Sequence, residues 1–278
     1  MMENKEQESR LDYLLEKFKE DSVQYRNLEA EGSYREKRMT LRALMNIRMP
    51  GIMEKDVIQI QDEFLMEEAK EKGIVSLYDI PTVKEQYGSS HPFAHQISVW
   101  QGDITRLQAG AIVNAANSQM LGCFVPCHQC IDNAIHSAAG IQLRAECDHY
   151  MKSRRIQYGP RYEEPTGQAV LTKGYNLPAE YVIHTVGPIV GNGLNHELRQ
   201  DLRHCYENVL KCCVENGIRS VAFCCISTGE FHFPNDEAAG IAVETVTAFL
   251  KKSELDFDRI IFNVFKDVDM ELYRKELK

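Results

Sequence analysis

The sequence lacks any hydrophobic stretch of the kind that crosses a membrane. None of its apolar runs approaches the roughly 20 residues that a membrane-spanning helix needs. The segment 1–10 is charged and polar, so the apolar centre of a secretory signal is missing too. Hydrophobic residues nevertheless make up 44% of the chain and charged residues 26%, as is ordinary for a globular protein. We therefore expect a cytoplasmic protein without a membrane partner.

An excess of positive charge is also missing. The chain has 32 Lys and Arg residues against 41 Asp and Glu residues, a formal net charge of -9. Proteins that read nucleic acids obtain much of their affinity from basic side chains that neutralise phosphates. The charge therefore argues against a nucleic-acid partner. A small anionic ligand stays possible, because backbone amides and helix N-termini bind anions without basic side chains.

Cysteines are present, but not in a pattern that predicts disulfides. There are nine, an odd number, and two pairs of them are adjacent. The last five, from Cys205 to Cys225, lie in apolar or helical surroundings and are typical of small buried side chains. The first three, by contrast, are crowded around His128 within eight residues.

The N-terminal third, residues 1–92, is predicted to be a helical extension. Apolar residues recur at helical spacing over 11–18, over 38–47 and over 55–72, with charged residues between them. Met49-Pro50-Gly51 and Gly73 are typical helix stops. We expect this extension to pack against the following domain, although it could also shape a ligand cleft.

The remainder, residues 93–278, alternates between short apolar runs and longer amphipathic stretches. The strand-like runs are Gln96–Trp100, Ala111–Val113, Tyr181–Thr185, Val221–Ile226 and Arg259–Phe265. The helical patterns are 131–139, 198–215 and 236–252. This alternation predicts a three-layer α/β/α domain with a largely parallel sheet. Such sheets bind ligands beyond the carboxyl ends of their strands.

Three loops that follow predicted strands are rich in small and polar residues. Asp103, at a strand end, can accept a hydrogen bond from a ligand amine or can cap a helix. Asn114 and Asn117, with two alanines between them, allow a tight turn close to a ligand. The third loop, Ile226–Phe231, can expose successive amide N–H groups to a phosphate. Each loop alone is weak evidence of function.

Taken together and in order, five segments closely resemble the macrodomain family. They are Gly102–Thr105, Val113–Asn117, Ile131–His136, Ile183–Pro188 and Ile226–Gly229. The resemblance extends over about residues 95–275. Macrodomains are α/β/α modules with a mixed, largely parallel sheet that bind ADP-ribose, and several branches hydrolyse the bond between ADP-ribose and a protein. The resemblance implies this fold and this ligand.

The same resemblance implies roles for individual residues. Asp103 would accept the adenine amino group beside the amide of Ile104, and Asn117 would contact the distal ribose. Phe265 would stack on adenine, or it could equally be a core aromatic. The backbone of the third loop would hold the diphosphate, with its last residue near the distal ribose. The residues of this loop are Ser227, Thr228, Gly229, Glu230 and Phe231.

The segment Gly122–Cys130 departs from the common hydrolase branch, which has a run of glycines at this place. Thiolate and imidazole ligands within eight residues favour zinc. Adjacent Cys127 and His128 would be difficult to aim at one ion, so Cys123, His128 and Cys130 form the better ligand set. Three protein ligands leave a fourth position open, as in catalytic zinc sites. The alternative is a closed structural site with Cys127 as its fourth ligand.

This segment resembles the loop of a bacterial zinc-dependent macrodomain subgroup, whose members also carry a helical N-terminal extension. The resemblance implies a zinc-dependent hydrolase that removes mono-ADP-ribose from protein side chains, with Asp or Glu esters expected. Asp132 would position water or ribose, or cap the following helix, while Asn117 would fix the distal ribose. Cys130 and Ile131 would also line the ligand. A lipoyl-carrier protein modified by a sirtuin-type ADP-ribosyltransferase is the implied substrate partner.

Two other functions stay open at the level of sequence. One is a module that binds ADP-ribose without cleaving it, and the other is a phosphatase acting on ADP-ribose 1″-phosphate. Asn117, Asp132 and the Cys/His set argue against the binding module, because a binding module needs none of them.

Overall fold

The computed structural model describes residues 2–278, with side chains from residue 5 onward. The N-terminal extension consists of three helices: α1 (Met2–Asp21), α2 (Tyr34–Ile47) and α3 (Lys55–Glu71). Helix α2 begins with a reciprocal capping box between Ser33 and Glu36. The helices of the extension are therefore present where helical spacing predicts them.

These three helices bury a hydrophobic core of their own. Its members are Leu11, Leu14, Leu15, Phe18, Leu41, Leu44, Met45, Val57, Phe64 and Leu65. Beside it, Arg38 Nε and Nη2 donate to Glu68 Oε1 and Oε2 at 2.6 and 2.8 Å. Burial alone would raise the pKa of Glu68, but the hydrogen bonds and charge of Arg38 lower this pKa to about 2. A charge-assisted pair thus joins α2 to α3.

The rest of the chain contains eight strands and six α-helices. The strands are β1 (Val75–Ser76), β2 (Ile97–Gln101), β3 (Leu107–Gln108), β4 (Ala111–Ala116), β5 (Ala169–Lys173), β6 (Tyr181–Val186), β7 (Ser220–Phe223) and β8 (Arg259–Val264). The helices are α4 (Val83–Tyr87), α5 (Ile131–Ala139), α6 (Ile141–Tyr158), α7 (His196–Glu215), α8 (Asn235–Leu250) and α9 (Asp267–Glu276). Short 3-10 turns occupy Leu77–Asp79 and Ile104–Arg106.

The central sheet has six strands in the order β2-β8-β7-β4-β6-β5. All neighbours are parallel except the edge strand β5, which runs antiparallel to β6. Helix α7 packs beside α8 and α8 beside α9, while α5 and α6 form a second pair against β4 and β5. The predicted α/β/α architecture, with a mixed and largely parallel sheet behind a helical extension, is confirmed.

Some elements differ from the sequence-based expectation. The apolar run 221–226 is strand only as far as Phe223, because the backbone turns away before Ser227, whose φ is +65°. Strand β5 and helices α6 and α9 were not predicted from the sequence. Ile80 and Val83, which precede the predicted boundary at residue 92, pack in the core of the sheet domain.

The extension docks onto the sheet domain through α2 and α3, which both contact α5. At this contact Arg144 of α6 donates to three carbonyls at the end of α2, those of Met45, Asn46 and Arg48, at 3.1, 2.8 and 2.6 Å. It also donates to Leu121 O at 2.7 Å. Burial lowers the pKa of Arg144 to about 10, which leaves the guanidinium charged at neutral pH. A cation therefore stabilises the carboxyl end of α2.

None of the helices in residues 2–278 combines the length and the apolar character needed to cross a bilayer.

Candidate active site

The predicted site residues follow the carboxyl ends of four strands. Asp103 follows β2, Asn117 follows β4, Ser227 follows β7 and Phe265 follows β8. These strands are parallel, so their carboxyl ends meet at one edge of the sheet. The topology thus brings the loops of the resemblance together.

At the β2 and β8 end, Asp103 caps the short turn Ile104–Arg106. Its Oδ1 accepts hydrogen bonds from Thr105 N at 3.0 Å and Thr105 Oγ1 at 2.7 Å. Both bonds use one oxygen, so capping does not consume the second carboxylate oxygen. Ile104 is buried, whereas the side chain of Phe265 is 79% exposed. That exposure excludes the core-aromatic alternative for Phe265 and leaves its ring free for a ligand.

Asp132 lies almost fully buried near the start of α5, 5% exposed. Asn114 Nδ2 donates to its Oδ1 at 2.8 Å, and Asn117 Nδ2 donates to its Oδ2 at 3.4 Å. Burial raises the pKa of Asp132 to about 6, although the hydrogen bond from Asn114 opposes this. The structure therefore joins the two predicted catalytic residues in one hydrogen-bonded group.

Beneath Asp132, a chain of polar side chains crosses the sheet. Thr172 Oγ1 donates to Val182 O at 3.3 Å, so it accepts from His184 Nε2, 3.0 Å away. His184 Nδ1 then accepts from Asn114 Nδ2 at 3.1 Å. Burial lowers the pKa of His184 to about 3, so the ring is neutral. The amide of Asn114 is thereby held as a double donor, to His184 and to Asp132.

The sequence analysis placed Asn114 in a turn, but it lies fully buried within strand β4. It gave no individual role to His136 or His184, although both lie within the matched segments. His136 Nε2 is 3.5 Å from Asp132 Oδ1, without hydrogen-bond alignment. The ligand atoms of His136, Cys147 and His184 lie within 4.8 Å of one another, as in a metal site. However, both nitrogens of His184 are already hydrogen bonded, and burial raises the pKa of Cys147. These features favour a neutral core cluster over a metal site.

The loop before α5 forms the second group of metal-ligand side chains. The ligand atoms of Cys123, His128 and Cys130 lie within 4.8 Å of one another, and Cys123 Sγ is 3.7 Å from His128 Nδ1. At ordinary zinc–ligand distances, a sulfur and a nitrogen on one tetrahedron lie about 3.6 Å apart. Both the donor types and their spacing therefore fit zinc. Below, these three residues are called the Cys/His cluster.

Cys127 lies outside the Cys/His cluster. Its φ is +53°, and its Sγ points to Met39 O in α2 at 3.4 Å. The closed four-ligand alternative requires this thiol inside the cluster, so the geometry favours three protein ligands and an open position.

The loop after β7 has the shape of an anion cradle. The N–H groups of Gly229, Glu230 and Phe231 donate to no other group among residues 2–278. Thr228 Oγ1 donates to Cys225 O at 3.0 Å and fixes the turn. A Cβ on Gly187 would lie 2.0 Å from Ser227 Oγ, so only glycine permits this close approach. The loop therefore presents unpaired amides of the kind that bind phosphates.

The cradle and the Cys/His cluster face each other. Glu230 Oε1 lies 3.8 Å from His128 Nε2, the ring nitrogen that points away from Cys123. The loop after β7 therefore borders the Cys/His cluster.

Comparison with known proteins identifies relatives along almost the whole chain. Residues 113–242 match the family model described as Macro domain. A protein-ADP-ribose hydrolase of Treponema medium is 42% identical over 269 residues, which cover 97% of this chain and 98% of that protein. Its counterpart from Staphylococcus aureus (strain MRSA252) is 38% identical over 272 residues, covering 98% and 96%.

A solved structure agrees with these relatives. The Trypanosoma brucei macrodomain in complex with ADP-ribose superimposes with a TM-score of 0.62 at 29% identity. The superposition covers 88% of this chain and 96% of that one, so it includes much of the helical extension.

Proposed function

The chain belongs to the macrodomain family, and we propose that it is a zinc-dependent hydrolase that removes mono-ADP-ribose from modified protein side chains. Relatives named protein-ADP-ribose hydrolase align over nearly its full length, which supports the hydrolytic activity. One observation carries the finer proposal: a zinc-type ligand set and a buried carboxylate flank the start of a single helix. Cys130 is the N-cap of α5, and its Sγ accepts a hydrogen bond from Asn133 N at 3.4 Å. Asp132 lies in the first turn of the same helix.

Substrate binding is assigned to the loops at the carboxyl edge of the sheet. Asp103 accepts a hydrogen bond from the adenine amino group, with the Ile104 amide beside it, and Phe265 offers its exposed face to the base. The loop from Ser227 through Phe231 holds the diphosphate, through the free amides of Gly229, Glu230 and Phe231. Cys130 and Ile131, at the start of α5, line the distal ribose, which Asn117 orients.

Asp132 is the proton acceptor of the proposed reaction. A water oxygen forms a bond to C1″, the bond from C1″ to the substrate carboxylate breaks, and that carboxylate leaves with the bonding electrons. The water proton passes to Asp132, whose pKa of about 6 keeps it ionised yet basic at neutral pH. Asn114 and Asn117 hold the two carboxylate oxygens for this transfer.

The Cys/His cluster would hold the zinc ion. When bound there, zinc would act as a Lewis acid toward a water or a ribose hydroxyl. The substrate ester is expected on Asp or Glu. We further propose a lipoyl-carrier protein, modified by a sirtuin-type ADP-ribosyltransferase, as the substrate, and a cytoplasmic location. These last proposals rest on the sequence resemblance alone.

The test is release of ADP-ribose from an automodified protein, measured with native, metal-stripped and zinc-reconstituted protein. We expect turnover to fall at least tenfold on stripping and to return with zinc. Unchanged turnover in fully zinc-free protein would contradict the metal proposal. Tight calorimetric binding of ADP-ribose without any release would instead identify a binding module, and cleavage of ADP-ribose 1″-phosphate alone would identify a phosphatase.

A further inference from the structure

The loop that carries the Cys/His cluster has little backbone structure of its own. Among residues 122–130 of the described chain, His128 N to Val125 O, at 3.2 Å, is the one backbone–backbone hydrogen bond between loop residues. Cys127 in addition adopts the left-handed region with φ +53°. Contacts from elsewhere must therefore fix the conformation of this loop.

Helix α2 of the extension supplies these contacts from a single face. Asn46 Oδ1 accepts from Cys127 N at 2.9 Å, and Arg42 Nη2 donates to His128 O at 3.2 Å. Met39 O accepts a hydrogen bond from the Cys127 thiol. Positions 39, 42 and 46 are three and four residues apart, the spacing of one helix face. The loop is thus bound directly to α2.

The second link runs through Asn133, which is completely buried. Arg42 Nε and Nη2 donate to its Oδ1 at 3.2 and 2.7 Å, which fixes the direction of the amide. Its Nδ2 then donates to Val125 O at 3.0 Å and to Cys123 O at 3.5 Å. Its backbone N–H donates to Cys130 Sγ. One guanidinium therefore connects to all three members of the Cys/His cluster, directly or through Asn133.

We propose that α2 contributes to the metal site. Its Arg42 and Asn46 are positioning residues, which hold the three side chains of the Cys/His cluster at the distances that metal ligands need. The inference rests on the proposed function only in requiring that these three side chains bind a metal ion. The extension then sets metal affinity and turnover. If it only buttressed the fold, its loss would change stability alone.

The test is titration of the metal-stripped full-length chain with Co²⁺, followed by the absorption of thiolate–cobalt charge transfer. We expect Arg42→Met and Asn46→Ala to raise the apparent Kd for Co²⁺ by about tenfold or more, the typical cost of losing outer-shell partners. Arg42→Lys keeps one donor but not the planar fork, so its Kd should fall between wild type and Arg42→Met. The kcat for ADP-ribose release should fall in parallel, while KM changes by less than about twofold.

Arg38→Met is the matched control. It removes an arginine one turn away on α2, and with it the pair to Glu68, but it leaves the loop contacts intact. It should lower Tm without changing the Kd for Co²⁺. Equal weakening in Arg38→Met and Arg42→Met, or wild-type affinity in both Arg42→Met and Asn46→Ala, would overturn the inference. A wild-type chain that binds no Co²⁺ would instead overturn the zinc proposal, and this inference with it.

Discussion

Replacement of Asp132 by Asn should make the stability of the protein relative to wild type rise with pH and should strongly reduce hydrolysis. Burial raises the pKa of Asp132 from 3.8 to about 6, so the folded protein opposes ionisation of this carboxyl group. Below pH 3.8 the group is protonated in both states and the raised pKa has no effect. As pH rises from 3.8 to about 6, wild type loses stability, because the unfolded chain is ionised over this range while the folded carboxyl group stays protonated; above 6 both are ionised and the loss is complete. Asn has the same shape and no charge to bury.

The size of this stability difference follows from the shift in the pKa of Asp132. Two pKa units correspond to about 3 kcal/mol at 1.36 kcal/mol per unit. The stability of Asp132→Asn relative to wild type should therefore rise by up to about 3 kcal/mol between pH 4 and pH 7. Changed contacts with Asn114 and Asn117 add a constant that does not depend on pH.

The assay is urea unfolding of both metal-free proteins in steps from pH 4 to pH 8, fitted with a common m value. The quantity of interest is the difference in unfolding free energy at each pH. A difference that stays flat across this range, or that falls as pH rises, would refute the assignment of a raised pKa to Asp132. The same variant should lose at least about 100-fold in kcat, as expected for removal of a general base.

Three further substitutions test the other parts of the site. Cys127→Ser should leave the Kd for Co²⁺ unchanged, because the thiol points to Met39 O; a large loss would return Cys127 to the ligand set. Phe265→Ala should weaken ADP-ribose binding by roughly threefold to tenfold in calorimetry, the worth of one stacked ring, with Tm unaltered because the ring is exposed. Gly187→Ala should displace Ser227 and weaken ADP binding more strongly; unchanged affinity would contradict the diphosphate assignment.

The elements predicted best from the sequence are those that are determined by residues close to one another in the chain. Helix α5 begins at the predicted residue, Ile131, because its apolar face is marked within a short span, although its N-cap is Cys130 and not Asp132. Strand β5 and helix α6 escaped prediction for the opposite reason. The buried face of α6 includes a charged residue, Arg144, and three of its four carbonyl acceptors lie at the end of a helix about 100 positions earlier in the chain.

The supporting network of the candidate site could not be read from sequence either. His184 fixes Asn114 only because β4 and β6 are neighbours in register, with these two residues opposite each other. Arg42 looks like a solvent-facing charge on an amphipathic helix, and its role is visible only once α2 docks beside α5. The candidate metal ligands lie close together in the sequence and could be named from it. The residues that position them come from distant parts of the chain and are brought together only by the tertiary structure.

Arg144 bears on whether the sheet domain can be separated from the N-terminal extension. Its guanidinium is buried in the sheet domain, yet three of its four carbonyl acceptors belong to the extension. A sheet domain produced alone would keep the cation and lose three of its four carbonyl acceptors, which water would have to replace. We therefore expect the extension and the sheet domain to unfold as one cooperative unit. A protein engineer who transfers this module to another protein should therefore transfer the whole chain and not the sheet domain alone.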